Sequence, residues 1–365
     1  MIEFSDVTKV YDDGTTAVDD LTITAPTGKI TVLVGPSGCG KTTTLRMVNR
    51  LIEPTSGRIL LGGEDSGQID RIQMRRSIGY VIQNAGLFPH QTVIDNICAV
   101  PYLNGVKRTE ARSRARELLT LVGLDDSYAK RYPWQLSGGQ QQRVGVARAL
   151  AADPPYMLMD EPFSAVDPIV RKQLQSEFLR IQGDLAKTIL MVTHDIDEAL
   201  RLGDQIVVFS DGGVVAQSGT PAEILARPAN RFVADFLGAS RGYHALGFES
   251  IRDLEPRQTP VFTLGTAAIA AEEPWVVAVD QDRRPLGWVQ PARVGAQTTA
   301  DDVQTASAVA LGGGTRRELL DAALASPEGS AILAHDDGTY AGTVHLDEVI
   351  RSAVDALGEE RAAAR

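Results

Sequence analysis

The sequence predicts an α/β protein in two parts, a P-loop domain built on a parallel sheet followed by a smaller α+β domain. Three observations carry this. A buried-type strand, KITVLV over Lys29–Val34, runs straight into the glycine-rich stretch GPSGCGKTT, and the periodic stretch Thr43–Leu51 follows. That strand–loop–helix order recurs in parallel α/β domains. Short apolar strands then alternate with helical segments. Finally, composition changes after residue 240. No lysine lies beyond it, and residues 241–365 hold 19 acidic and 11 basic side chains, −8 of the total −11, which leaves −3 for residues 1–240. Such a shift marks a domain boundary, giving domains 1–240 and 241–365.

Taken in order, Ile2–Val10 alternates polar and apolar residues and reads as a strand, as does Leu21–Ala25. Arg108–Gly123 and Gly138–Ala151 have the 3.6-residue spacing of amphipathic helices, and Arg171–Leu185 has it again. Tyr156–Met159, Thr188–Val192 and Gln205–Phe209 are short apolar runs of the kind buried in a parallel sheet. Asp211-Gly212-Gly213 is a hairpin signal, and Asn230–Leu237 is the last helix of the first domain. Beyond Arg241, VVAVDQDRRPLGWV from Val276 resembles AILAHDDGTYAGTV from Ala331. At an offset of 55, Asp282 falls on Asp337, Gly287 on Gly342 and Val289 on Val344. Each copy reads as strand, polar turn, strand. Helices flank the second copy at Arg316–Ala325 and Leu346–Leu357.

At 365 residues and 43% hydrophobic content the chain can bury sizeable cores. No run approaches the ~18 apolar residues of a membrane span, and the N-terminus lacks the basic and apolar regions of a secretory signal. Two cysteines, Cys39 and Cys98, fit a reducing compartment rather than a disulfide framework. The acidic balance argues against nucleic acid as the partner.

Gly35–Thr42 matches G-x-x-x-x-G-K-[ST] in full. Phosphates need a concave run of backbone N–H groups, which the glycines at 35, 38 and 40 allow; Lys41 reaches the β- and γ-phosphates, and the Thr42 hydroxyl is a Mg²⁺ ligand. Cys39 sits inside the loop as filler, with nothing nearby to activate a thiol. Tyr156–Glu161, YMLMDE, is a buried strand ending in two carboxylates, where a parallel sheet presents its ligands. Asp160 is placed to hold Mg²⁺ and Glu161 to polarise an attacking water. Leu136–Gln140, LSGGQ, sets a serine and two glycines at a helix start, a second anion site without a lysine. Two phosphate cradles in one domain suggest that each serves a different nucleotide of a pair.

GPSGCGKTT, LSGGQ and YMLMDE in this order and spacing resemble the nucleotide-binding domains of ABC transporters, over about residues 1–240. The resemblance implies an ABC-type ATPase fold with ATP and Mg²⁺ as ligands. It places the phosphates on Gly35, Pro36, Ser37, Gly38, Cys39, Gly40, Lys41, Thr42 and Thr43, and adenine on Tyr11. It makes Gln83 the residue that reaches the Mg²⁺ and the attacking water, Ser164–Asp167 the D-loop, and His194 the switch histidine at the γ-phosphate. Ser137, Gly138, Gly139 and Gln140 then face the ATP of a partner copy, with Asp167, in a head-to-tail homodimer. Glu161, His194 and Gln83 are the catalytic set; Thr42, Gln83 and Asp160 are the metal set.

QLSGGQQQRVGVARALAADPPYMLMDEPFSAVDP and RRSIGYVIQNAGLFPH look closest to importer ATPases for glycine betaine, choline, carnitine and proline, which commonly carry a C-terminal pair of CBS modules. The tail would then be a tandem CBS-like domain, a degenerate module at about 241–293 and a second at 294–358. The implied partners are integral membrane permease subunits and, indirectly, a substrate-binding protein, with the ATPase peripheral on the cytoplasmic face of the membrane. The tail departs from nucleotide-binding CBS modules, which place Ser or Thr three residues and Asp six residues after the second-strand glycine. Here those places hold His345 and Glu348, or Gln290 and Arg293. A regulatory nucleotide, a sensor of ionic strength and a merely dimerising tail stay open. So do an importer for another solute such as an amino acid, a soluble non-transport ABC ATPase and a binding-only regulator, although the last would be expected to have lost Glu161 or His194.

Overall fold

The computed structural model describes residues 1–83, 86–164, 166–266, 273–294, 297–352 and 354. The chain divides into two compact units, Met1–Ile224 with Pro228–Phe236, and Leu225–Arg227 with Leu237–Arg365.

The first unit contains β1 (Ile2–Val10), β2 (Thr16–Ala25), β3 (Ile30–Val34), β4 (Ser56–Leu61), β5 (Glu64–Asp65), β6 (Ile78–Val81), β7 (Tyr156–Asp160), β8 (Thr188–Thr193), β9 (Gln205–Phe209) and β10 (Val215–Gly219). Its helices include α1 (Lys41–Val48), α2 (Arg71–Arg76), α3 (Val93–Leu103), α4 (Arg108–Leu121), α5 (Gly138–Leu150), α6 (Pro168–Leu185) and α7 (Ile196–Leu202). One sheet is antiparallel, in the order β2-β1-β4-β5. The other runs β10-β9-β3-β8-β7-β6, parallel except for the β9–β10 pair. Every residue of β3 and β8 is buried, which is why both read as unbroken apolar runs. A core including Phe4, Leu21, Leu45, Met47, Leu158 and Phe209 joins the two sheets through α1.

Strand and helix bounds differ from the sequence reading by local chemistry. The helix expected from Arg171 begins at Pro168, because Asp167 caps it and proline suits a first helical turn. The Asp211–Gly213 signal is a short 3₁₀ turn between the antiparallel pair β9 and β10. The strands β4, β5 and β6 and the helix α3, which carries Pro101 in its last turns, were not expected from periodicity.

In the second unit, β11 (Val261–Thr263), β12 (Val276–Val279), β13 (Pro285–Val289) and β14 (Val303–Thr305) form one sheet in that order. A second holds β15 (Ala308–Ala310), β16 (Ser330–Ala334) and β17 (Tyr340–His345). The repeat is carried by the pairing itself. β11–β12 and β15–β16 are parallel, β12–β13 and β16–β17 antiparallel. Ala278 pairs with Gly287 as Leu333 pairs with Gly342, an offset of 55 on both strands. Val261↔Val277 corresponds to Ala308↔Ile332, so the first strands are offset by only 47. The crossover of the first copy is eight residues shorter. Each copy also lends a preceding segment to one last strand, β14 to β13 and Arg257 to Thr343. Trp288, Val277, Ile332 and Tyr340 form a core shared by the copies. The helix Arg316–Ala325 covers the second copy. Residues 346–352 and 354 are helical, and the rest of the helix expected to Leu357 lies outside the described residues.

Candidate functional site

The loops after β3, β6, β7 and β8 all leave the same end of the parallel sheet, and the functional candidates stand on those four loops. Register fixes this: Val34 pairs with Thr193, Asp160 with Val192, and Val81 with Met159. Gly35, Gln83, Glu161 and His194 therefore emerge side by side at the carboxyl edge, where open α/β sheets bind ligands.

Gly40 caps α1 in the left-handed region at φ 91°, and a Cβ there would stand 1.9 Å from the Ala17 carbonyl oxygen. No other residue closes this turn. Lys41 is buried, and its Nζ donates to the Gly35 carbonyl at 2.8 Å and the Pro36 carbonyl at 2.7 Å. The ammonium is thus held over the loop, surrounded by backbone acceptors that an anion would displace. Cys39 is buried too, with Lys41 Nζ 3.5 Å from its Sγ. Burial pushes its thiol up, so it is packed filler and not a nucleophile. Ser37 and Gly38 are exposed at the tip. Tyr11 is exposed, its hydroxyl 3.3 Å from the Thr43 hydroxyl and Lys9 Nζ 5.3 Å from its ring centre.

The Thr42 hydroxyl donates to Asp160 Oδ1 at 3.1 Å. Asp160 is buried, and burial holds its carboxyl above the usual range, against the opposing pull of Thr42, Arg46 and Lys41. A hydroxyl and a desolvated carboxylate side by side suit a small hard cation. Among the described residues no group of three His, Cys, Asp or Glu could hold a metal unaided, so any ion here completes its shell from elsewhere.

Glu161 has φ 46°, a left-handed conformation that turns its side chain off the strand end. Its two oxygens are both engaged. Gln83 Nε2 donates to Oε2 at 2.9 Å, and His194 Nδ1 lies 3.0 Å from Oε1. The Glu161 N–H bonds the Val192 carbonyl at 2.9 Å, which anchors it to β8.

Ser137–Gln140 stand apart from this cluster. Ser137 caps α5, its hydroxyl accepting from the Gln140 N–H while Gln140 Oε1 accepts from the Ser137 N–H at 3.0 Å. Gln140 Nε2 also donates to the Tyr128 hydroxyl at 3.2 Å, and Arg131 lies 4.0 Å over the Tyr128 ring. Ser137, Gly138, Gly139, Gln140 and Asp167 line a cavity of about 470 Å³ that includes no residue of Gly35–Thr43. Asp167 caps α6 through the Val170 N–H at 3.1 Å. Ser164 hydrogen-bonds the Glu161 carbonyl, linking this segment to the end of β7, whereas Ala165 lies outside the described residues. A groove of about 610 Å³ opens beyond Gln83, lined by Phe88, His90, Tyr102, Leu103, Arg108 and Tyr132.

The motifs pointed to the phosphate-loop, strand-end and helix-cap residues described here. They could not name Tyr128, Lys9 or Arg148, whose contacts come from packing rather than from local pattern. Arg148, on α5, donates to the Gly86 carbonyl at 2.8 Å.

The chain is similar to known ATP-binding proteins of transporters. A family model described as ABC transporter matches residues 18–164. The osmoprotectant import ATP-binding protein OsmV of Salmonella typhimurium is 43% identical over 345 residues, 91% of this chain and 90% of that protein. The glycine betaine/carnitine/choline transport ATP-binding protein OpuCA of Bacillus subtilis is 54% identical over 241 residues, 66% of this chain and 63% of that protein, so the match spans under two thirds of OpuCA. A solved dimeric structure of the ATP-binding cassette MJ0796, bound to ADP and Pi, superposes with a TM-score of 0.56 at 32% identity, covering 60% of this chain and 99% of that one.

Proposed function

Because this chain belongs to the ABC transporter family of ATP-binding proteins, we propose that it is the ATP-hydrolysing subunit of an importer for quaternary-amine osmoprotectants such as glycine betaine, choline and carnitine. The observation that carries the ATPase reading is the convergence of Lys41, Thr42, Gln83, Asp160, Glu161 and His194 on one sheet edge. The substrate class rests on the similarity to OsmV and OpuCA, proteins of osmoprotectant and betaine transport.

In this reading the backbone N–H groups of Gly35–Thr42 cradle the β- and γ-phosphates, and Lys41 exchanges its two carbonyl acceptors for phosphate oxygens. Tyr11 offers a ring face to adenine. Thr42 and Asp160 hold Mg²⁺, with Gln83 in reach; the ion, when bound, neutralises charge on the transferring phosphoryl group. Glu161 takes the proton of water as its oxygen attacks the γ-phosphorus and the bond to the ADP oxygen breaks. Gln83 and His194 hold the carboxylate before nucleotide binds, and would turn toward metal and γ-phosphate on binding, which frees a Glu161 oxygen for the water.

Two supports favour a head-to-tail homodimer. Ser137–Gln140 and Asp167 line a cavity separate from the phosphate loop, and the MJ0796 cassette is dimeric with ADP and Pi. Each ATP then lies between the loop of one copy and Ser137–Gly139 of the other. Among the described residues no helix is long and apolar enough to cross a membrane, so motion passes to separate permease subunits, received in the groove at Phe88 and Tyr132. A binding protein delivers the amine to those subunits, and this chain sits peripherally on the cytoplasmic face.

For the second unit, the doubled parallel–antiparallel pairing supports a CBS-like pair. Glu348, where such modules place a ribose-binding Asp, is paired with Arg257 at 2.6 Å. That engagement favours charge sensing or dimerisation over nucleotide recognition.

The test is ATPase activity of the chain reconstituted with its membrane subunits, wild type against Glu161→Gln. Stimulation by glycine betaine, choline or carnitine, and its loss by about 10²–10⁴-fold in the variant, is the expected result. Stimulation by amino acids but by no quaternary amine would replace the substrate class, and activity that survives Glu161→Gln would displace the base.

A further inference from the structure

Arg148 touches three parts of the molecule that the proposed function treats separately. It sits on α5, eleven residues beyond the Ser137 cap, about 16 Å along a continuous helix. Its Nη1 donates to the Gly86 carbonyl at 2.8 Å, three residues past Gln83, whose amide holds Glu161. Its guanidinium lies 5.9 Å from the centre of the Phe88 ring, within cation–π range. Phe88 is exposed and lines the groove. It is also stiffly mounted. The fully buried Asn96 accepts from the Phe88 N–H at 2.7 Å and donates to the Phe88 carbonyl at 3.1 Å. Phe88 is therefore anchored through its backbone, and Arg148 stands 5.9 Å from its ring centre.

We propose that Arg148 is the positioning residue that couples the groove to the nucleotide site, moving the Gly86 side of the Gln83 loop and the Ser137 helix together when a partner seats against Phe88. The inference rests on the reading of this chain as a transport ATPase whose groove receives a permease subunit. The guanidinium suits the task because it is planar and forked. One nitrogen holds the Gly86 carbonyl while the guanidinium carbon stays 5.9 Å from the Phe88 ring centre, a two-point engagement that a compact ammonium suits less well. Rigid packing makes such a link two-state rather than elastic.

The test uses the chain reconstituted with its membrane subunits and measures ATPase with and without saturating glycine betaine, choline or carnitine. For Arg148→Met the stimulated-to-basal ratio is expected to fall about ten-fold, in the usual range of coupling between sites. Basal kcat and KM for ATP should stay close to wild type. Phe88→Leu should lower the ratio likewise and add nothing to Arg148→Met, the signature of two residues in one link. A ratio equal to wild type, additive losses, or an equal fall in basal and stimulated rates would overturn the proposal. Should Arg148→Met fail to fold, Arg148→Lys carries the test: it keeps the charge and a donor but not the plane, and a full wild-type ratio in it would overturn the link. A wild-type complex that no solute stimulates overturns the transport reading itself, whereas a stimulated wild type with an equally stimulated Arg148→Met overturns only this proposal.

Discussion

At Asp160 burial opposes the charged form of a side chain that the proposed chemistry needs ionised. Its carboxyl is buried at a strand end and held above the ordinary range by desolvation, although the Thr42 hydroxyl donates to it. A carboxyl raised in the folded state adds stability that is fully present at low pH and is lost as pH rises through the folded value. Asp160→Asn removes that loss. The nucleotide-free variant should melt above wild type near neutral pH, and the gap should close on acidification. ATP hydrolysis and Mg²⁺-dependent stabilisation by ATP should vanish together. A gap that does not change with pH would mean that the charge of Asp160 is not what the fold resists. The pair of acids was legible in the sequence, since an apolar run ending in DE after a phosphate loop has few other meanings. The clamp on Glu161 was not. Gln83 and His194 reach it from 78 and 33 residues away, a juxtaposition set by sheet register and not by any local pattern.

Among the elements, those with strong periodicity or an unbroken apolar run could be read directly: β3, β7, β8 and β9 as buried strands, α4 and α5 as amphipathic helices. The missed ones have physical reasons. β6 is four residues long at the edge of its sheet, and a single exposed turn of two glycines, Gly62 and Gly63, separates β4 from β5. α3 is apolar almost throughout and carries Pro101, so neither periodicity nor a clean stop marks it. In the tail, Gly287 at φ 150° and Gly342 at φ 146° are the repeat's most constrained points. A Cβ at Gly342 would stand 2.6 Å from the Arg257 carbonyl oxygen, and one at Gly287 would stand 2.1 Å from that of Gln304. Gly342→Ala should therefore destabilise the second unit by about 1–3 kcal/mol by forcing the Arg257–Thr343 pairing apart. Calorimetry should show that loss with ATP hydrolysis retained. A Gly342→Ala chain that melts as wild type would show that the Arg257 segment yields freely.

For the whole molecule, the composition break at Arg241 lies four residues from Leu237, where the main segment of the second unit begins. Charge divides as composition does, −8 after residue 240 and −3 before it. If the tail senses ionic strength, screening of its like charges is the physical lever. The reconstituted complex lacking residues 241–365 should then lose any salt threshold of its ATPase activity, and an unchanged threshold would leave dimerisation as the tail's role. What no single chain could disclose is the completed site, because its two halves face different ways: the phosphate loop at the sheet edge, Ser137–Gln140 at a separate cavity. The most direct test is complementation. Lys41→Ala destroys one half and Ser137→Arg the other, so each variant alone should be inactive. Mixed in equal amounts they can form dimers that carry one intact composite site, and ATP hydrolysis well above either variant alone is the expected result. A mixture as inactive as its components would contradict the head-to-tail arrangement on which the account depends.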